Sequence, residues 1–238
     1  MKELVLSCCC WERKMKLDYN KILIFDFETT GLNYRFNNII EIGAILLEKK
    51  DDSFEVIEEF NVFIKQDEPL PAKIIEITNI TDEMLNNEGI PEQEAFIKFD
   101  SLIDDNTLLV AYNLAFDIGF LGALYQKYHN VNYLINNDIL DAMAVYKDRY
   151  KFPHRLESAL TTFNIINERA HRAIDDAKTT FLLLEQLALE NNNLYKYINV
   201  LGYNPRYGAP KVKVLKQGVK FIAQGMNGFR EIEKSYLK

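Results

Sequence analysis

The chain has 238 residues, 48% of them hydrophobic, and a formal net charge of −7. That length and apolar content suit one domain with a full core plus a small appendage. No run approaches the roughly eighteen apolar residues of a membrane span, and an acidic chain of this kind is excluded from the class that coats long duplexes through bulk positive charge. The first stretch, Met1 to Cys10, is too short and wrongly flanked for a secretory signal. Cys8, Cys9 and Cys10 are contiguous, which matches neither zinc-site spacing nor a disulfide framework and points to a reducing cytoplasmic setting. Residues 1–19 read as a leader, with Met1 or Met15 as the start.

The main domain is expected over 20–191. Ile22-Leu-Ile-Phe25 is long enough for a buried strand and too short for a stable helix. It runs into Asp26-Phe-Glu-Thr-Thr-Gly31. Side chains alternate along a strand, so Asp26 and Glu28 share one face and Phe25 and Phe27 the other. Two adjacent carboxylates at the end of a core strand repel and are costly to desolvate. A hard divalent cation between them removes that cost. The bland alternative is a strand end with two solvated acids. Thr29 and Thr30 offer hydroxyls and backbone N–H groups beside such a cation, and Gly31 ends the element.

A second strand is expected over Ile39–Leu47, interrupted by Glu41 and Gly43. A third follows, with Phe54, Val56, Phe60, Val62 and Ile64 on one face. The polar turn between them predicts a hairpin, with the first strand alongside. Thr81 is a predicted N-cap, and Pro91 opens a helix with a stripe of Ala95, Phe96, Phe99, Leu102 and Ile103. Thr107–Ala111 is a short buried strand. Asn113 is a predicted N-cap for the helix behind it, which places Asp117 on the same side as Leu121, and an acid among core positions requires a partner or a metal. Residues 130–137 read as loop and weak strand, followed by two short helices on either side of Pro153. A long final helix runs from about Ala173 to Glu190, with Asp176 on its apolar face and His171 at its start.

Residues 192–238 read as a basic C-terminal extension. Residues 205–238 carry eight Lys or Arg and two Glu, or +6, against −13 for the first 204. Lys211–Leu215 and Val219–Ile222 predict a small hairpin there, either a solvated appendage or a clamp on nucleic acid or a polymerase. His129 and His154 read as surface or packing residues, and Tyr112 and Phe116 as core.

Asp26-Phe-Glu28-Thr-Thr-Gly, Asn113-Leu-Ala-Phe-Asp117 and His171-Arg-Ala-Ile-Asp-Asp176-Ala together resemble the DEDDh 3′–5′ exonucleases, more narrowly the proofreading exonucleases of bacterial DNA polymerase III. Ile39–Ala44 and Ile77–Met84 are similar to stretches of the same enzymes. The resemblance implies an α/β RNase H-like fold, a mixed five-stranded sheet flanked by helices. It implies Asp26, Glu28, Asp117 and Asp176 as ligands of two Mg2+ (or Mn2+) ions and His171 as general base. Its spacing selects Asp176 over Asp175. It also implies that Thr29, Thr30, Gly31, Leu32 and Asn113 contact substrate, with Leu32 wedged against the terminal base. The implied reaction removes nucleoside 5′-monophosphates from single-stranded DNA 3′ ends, with a replicative polymerase as partner and no membrane. RNA or short-oligonucleotide ends, or a catalytically idle binding module, are the alternatives. Tyr112 stands where many members of the family have a histidine.

Overall fold

The computed structural model describes residues 15–51 and 53–237. Its centre is a five-stranded sheet in the order β3-β2-β1-β4-β5. β1 (Lys21–Thr29), β2 (Ile39–Lys50) and β3 (Ser53–Phe63) form an antiparallel meander, as the polar turn predicts. β4 (Thr107–Ala111) and β5 (Ile139–Asp141) join parallel to β1 and to each other. The mixed sheet follows from the connections. A tight turn makes antiparallel neighbours, whereas the β4 and β5 pairings are parallel and need helical crossovers. Those helices are α1 (Ala72–Thr78), α2 (Asp82–Glu88), α3 (Glu92–Asp100) and α4 (Leu114–Tyr128). Beyond β5 come α5 (Ala142–Arg149), α6 (Leu156–Thr162) and α7 (Ala173–Glu190).

Alternation along β1 divides the core in two. Phe25 and Phe27 pack with Phe99 on one side of the sheet, among the α3 and α4 side chains. Ile22 and Ile24 face the other way, with Leu183, Leu184 and Leu187 of α7. Asp26 and Glu28 continue the α7 side. The expected pairing of these acids on one face is therefore the pleat of a strand buried on both sides.

Several local expectations change. Val56 is 43% exposed, and Phe60 and Val62 pack on the side of the sheet opposite Phe54, because the β2–β3 register slips where Leu47 faces Val56 and Leu46 faces Glu58. The extra residue, Ile57, is a bulge that ends the strict alternation. Thr81 caps α2 as expected, accepting a hydrogen bond from the Met84 N–H at 3.3 Å. Asn113 occupies the N-cap position of α4, but in the left-handed region (φ 65°) and without a side-chain cap. The cap-forming acid is instead Asp141, which accepts from the N–H groups of both Asn113 and Met143 at 3.0 Å. The fifth strand lies at Ile139–Asp141, after the stretch expected to hold weak strand.

The ends differ as well. Residues 1–14 of the expected leader lie outside the described residues. Met15 and Leu17 are buried in the α7-side core, so ordered packing begins before residue 20. Among the described residues, the C-terminal extension forms no hairpin. β6 (Val200–Tyr203) and β7 (Lys220–Ala223) pair in parallel, and α8 (Glu231–Ser235) follows. Parallel pairing arises because the strand partners are far apart in sequence: Lys211–Leu215 is not the mate of the second strand but a packing segment, with Val214 and Leu215 buried beside α4 and β5 residues. The extension is folded onto the domain through Leu194, Tyr197, Val200, Leu201 and Ile232, all buried.

Candidate active site

A cavity of about 810 Å³ opens at the end of β1 and is lined by Asp26, Glu28, Asn113, Asp117, His171 and Asp176 among others. All four acids that the resemblance implies, and the histidine, reach this one space. Three elements deliver them: β1, the first turn of α4, and the start of α7 with His171 two residues before it.

α7 can approach because β2 has no side chain where it crosses. Gly43 pairs with Asp26 across the β1–β2 ladder. A Cβ on Gly43 would lie 2.1 Å from the Ile174 nitrogen and 2.2 Å from the Ala173 carbonyl carbon. No larger residue fits that approach. Beside it, Glu41 is fully buried and grips the start of α7. Its carboxylate accepts from Arg172 Nε at 3.2 Å and Arg172 Nη2 at 2.8 Å, and from the Ala173 N–H at 3.1 Å. Such a forked ion pair fixes direction as well as distance. His171, immediately before Arg172, sits in the left-handed region at φ 64° and is exposed to solvent. Ligand atoms of Glu28, His171 and Asp176 lie within 4.8 Å of one another.

Asp117 is 1% exposed, and its Oδ1 accepts from the Phe27 N–H at 3.1 Å, which ties α4 to β1 between the two strand acids. Asp176 Oδ1 accepts from Asn167 Nδ2 at 2.6 Å. Asp175 instead turns to Arg169, 2.9 Å away, away from the cavity-lining set.

Crowding raises the proton affinity of the acids. Burial, and then Asp117, Asp176 and Glu28 as neighbours, hold the Asp26 carboxyl well above its ordinary range. Burial and Asp176 push Glu28 up to about 8. Burial holds Asp117 well above its ordinary range, against the Phe27 N–H, which lowers it. Asp176 is pushed up to about 6 by burial, against the Asn167 hydrogen bond and His171. The set offers hard oxygen donors with surplus negative charge and room above them. That chemistry fits Mg2+ or Mn2+.

The expected substrate-contacting residues divide. Asn113 lines the cavity. The Thr29 hydroxyl donates to the Gly31 carbonyl at 2.7 Å, and the Thr30 hydroxyl accepts from the Asn38 N–H at 3.0 Å. Both therefore brace the loop after β1. Leu32 on that loop is 88% exposed. Thr29, Thr30, Gly31 and Leu32 are not among the residues lining the cavity. Tyr112 and His154 do line it. The Tyr112 hydroxyl donates to the His154 carbonyl at 2.8 Å. Sequence reasoning gave no role to Glu41, Arg172 and Asn167. Glu41 had a signal, as an acid inside an apolar strand; Asn167, in a polar loop, had none.

The sheet order and the cavity define an RNase H-like exonuclease fold, and the exonuclease family model matches residues 23–184. The chain belongs to that family. Over 199 residues it is 35% identical to the PolC-type DNA polymerase III of Latilactobacillus sakei, covering 82% of this chain and 13% of that protein. It is 37% identical over 177 residues to the PolC-type DNA polymerase III of Bacillus subtilis, covering 72% of this chain and 12% of the relative. The chain thus spans about an eighth of the length of these relatives. Among solved structures, a zinc-bound form of an E. coli exonuclease I–ssDNA complex superposes with a TM-score of 0.65 at 21% identity, over 75% of this chain and 42% of that one. That likeness is one of fold. Among the described residues, no helix is long and apolar enough to cross a membrane.

Proposed function

We propose that this protein is a metal-dependent 3′–5′ exonuclease that removes nucleoside 5′-monophosphates from single-stranded DNA ends. The observation that carries the reading is the convergence of Asp26, Glu28, Asp117, Asp176 and His171 from three separate elements on one cavity. Asp26, Glu28, Asp117 and Asp176 would hold two divalent cations, Mg2+ or Mn2+. When bound, such ions supply charge stabilisation to the attacking and leaving oxygens of phosphodiester hydrolysis. His171, exposed at the mouth beside Glu28 and Asp176, takes the proton of the attacking water, as a general base must lie within reach of the proton it removes. Asp117, held by the Phe27 N–H, keeps one oxygen committed to the fold and presents the other to the cavity. Glu41 and Arg172 set the position of His171 and Asp176 without entering the chemistry.

Single-stranded DNA is favoured as substrate because the structural neighbour is an exonuclease I–ssDNA complex. Association with a replicative polymerase is favoured because the relatives are PolC-type polymerases, in which the matching segment is part of one long chain. A cytoplasmic location belongs to the same reading and follows the contiguous cysteines.

Purified protein with Mg2+ is expected to release 5′-mononucleotides from the 3′ end of a labelled DNA strand, and Asp26→Ala to release none while keeping its circular dichroism spectrum. Equal rates from parent and variant would overturn the assignment. Parallel digestion of an RNA strand of the same sequence sets the sugar preference.

A further inference from the structure

Phe152 is 62% exposed, yet it lines the catalytic cavity together with His154 and Arg155. Its ring stands edge-on to His154, at 5.9 Å between centroids and 85° between planes. A second cavity, of about 710 Å³, lies beyond it. This one is lined by Arg149, Tyr150, Lys151 and Pro153, and shares Glu157 and Thr161 with the first. Phe152 therefore lines the hollow that holds the acids, while its chain neighbours Lys151 and Pro153 line the second.

The C-terminal extension holds this junction in place. Lys151 bridges antiparallel to Asn227, and the Phe152 N–H donates to the Met226 carbonyl at 2.8 Å. Gly228, at φ 64°, lies so close that a Cβ there would sit 2.7 Å from the backbone of Arg149 and Tyr150. The backbone under Phe152 is thus held against residues 226–228, while its ring is left largely in solvent.

Two cations flank the ring, and among the described residues Glu157 is the one acid that lines both hollows. Lys151 and Arg155 are exposed, and neither forms an ion pair among the described residues. On a chain of net charge −7, two free cations beside an exposed ring and next to a cavity of acids fit one ligand chemistry: a flat base for the ring and phosphates for the cations. Stacking of a base on an aromatic ring is independent of sequence, and strand-tracking cations are its usual companions.

We infer that Phe152 is a stacking platform for a base upstream of the scissile 3′-terminal linkage, with Lys151 and Arg155 holding the neighbouring phosphates, and that the strand leaves the catalytic cavity past this ring toward the second hollow. This rests on the exonuclease reading above. The extension is then part of the substrate track, because residues 226–228 fix the segment that presents the ring.

The test compares two substrates, an oligothymidylate of eight or so nucleotides and the p-nitrophenyl ester of thymidine 5′-monophosphate, which has no upstream base. Phe152→Ala is expected to raise KM for the oligonucleotide about fivefold or more, the lower end of the effect of losing one stacked base. The rise for the oligonucleotide is expected to exceed any change in KM for the ester by at least that factor. Phe152→Trp should restore the parent KM, and Phe152→Leu, apolar but not planar, should not. An unchanged oligonucleotide KM in Phe152→Ala overturns the inference, as does an equal loss on both substrates. If the parent protein cleaves neither substrate, the exonuclease reading itself fails, an outcome visible before any variant is made.

Discussion

Glu28 and Glu41 face each other across the β1–β2 ladder, and the fold treats them in opposite ways. Glu41 is wholly buried and bound by Arg172 and the Ala173 N–H. Glu28 turns into the cavity, where its neighbours are other acids and His171. One carboxylate holds α7 in place, and its partner faces the cavity.

Removing the first role should therefore damage the second. Glu41→Gln keeps the shape but weakens the fork to Arg172. A hydrogen bond to a charged group contributes about 1.5–3 kcal/mol, so the midpoint of urea unfolding should fall by a corresponding amount. The kcat should fall as well, since His171 and Asp176 flank the loosened turn. A variant with parent kcat and parent stability would show that the pair positions nothing.

The raised carboxyl groups give a pH dependence of definite sign. Glu28 at about 8 and Asp176 at about 6 bind protons more tightly in the folded chain than in the unfolded one. Their contribution to stability is complete below the ordinary carboxylate range and is lost as pH rises through 6 and then 8. In EDTA, these groups should therefore lower Tm progressively between pH 5 and pH 8.5. Mg2+ competes with the protons, so the increase in Tm that it produces should grow over the same interval. An increase of equal size at both pH values would mean that cations do not bind at these carboxylates.

His171 occupies a left-handed backbone position that asparagine tolerates better than most residues. His171→Asn therefore tests the imidazole without imposing backbone strain. Its rate on a DNA strand should fall about 10²- to 10⁴-fold, the usual contribution of a positioned general base. The Mg2+-induced rise in Tm should persist. If that rise disappears, His171 is a ligand and not a base.

The acids of the site could be read from the sequence because each departs from its surroundings. Asp26 and Glu28 end an apolar strand, Asp117 interrupts an apolar helix face, and Asp176 begins one. Their convergence could not come from periodicity, since it depends on how β1, α4 and α7 cross; the family resemblance supplied it. The choice of Asp176 over Asp175 follows the same spacing, and the structure shows why both occur: one faces the cavity and the other pairs with Arg169. What escaped the sequence is mostly short or long-range. β5 has three residues, and Asp141 belongs to the strand while capping the next helix. The β3 bulge at Ile57 leaves no compositional trace. The parallel β6–β7 pair joins segments separated by a chain of prolines, glycines and lysines that by itself reads as a local turn.

Asp148 has no exposed surface, and its side chain accepts from the Tyr197 hydroxyl, Gln224 Nε2 and the N–H groups of Ile232 and Glu233. Every one of those donors belongs to the C-terminal segment. Detaching that segment would break all four of these hydrogen bonds and expose the apolar side chains of Leu194, Tyr197, Val200, Leu201 and Ile232 that the segment buries. The last forty-odd residues are thereby tied into the core of the main domain, and a chain trimmed at Asn191 is expected to melt at a lower temperature than the full one.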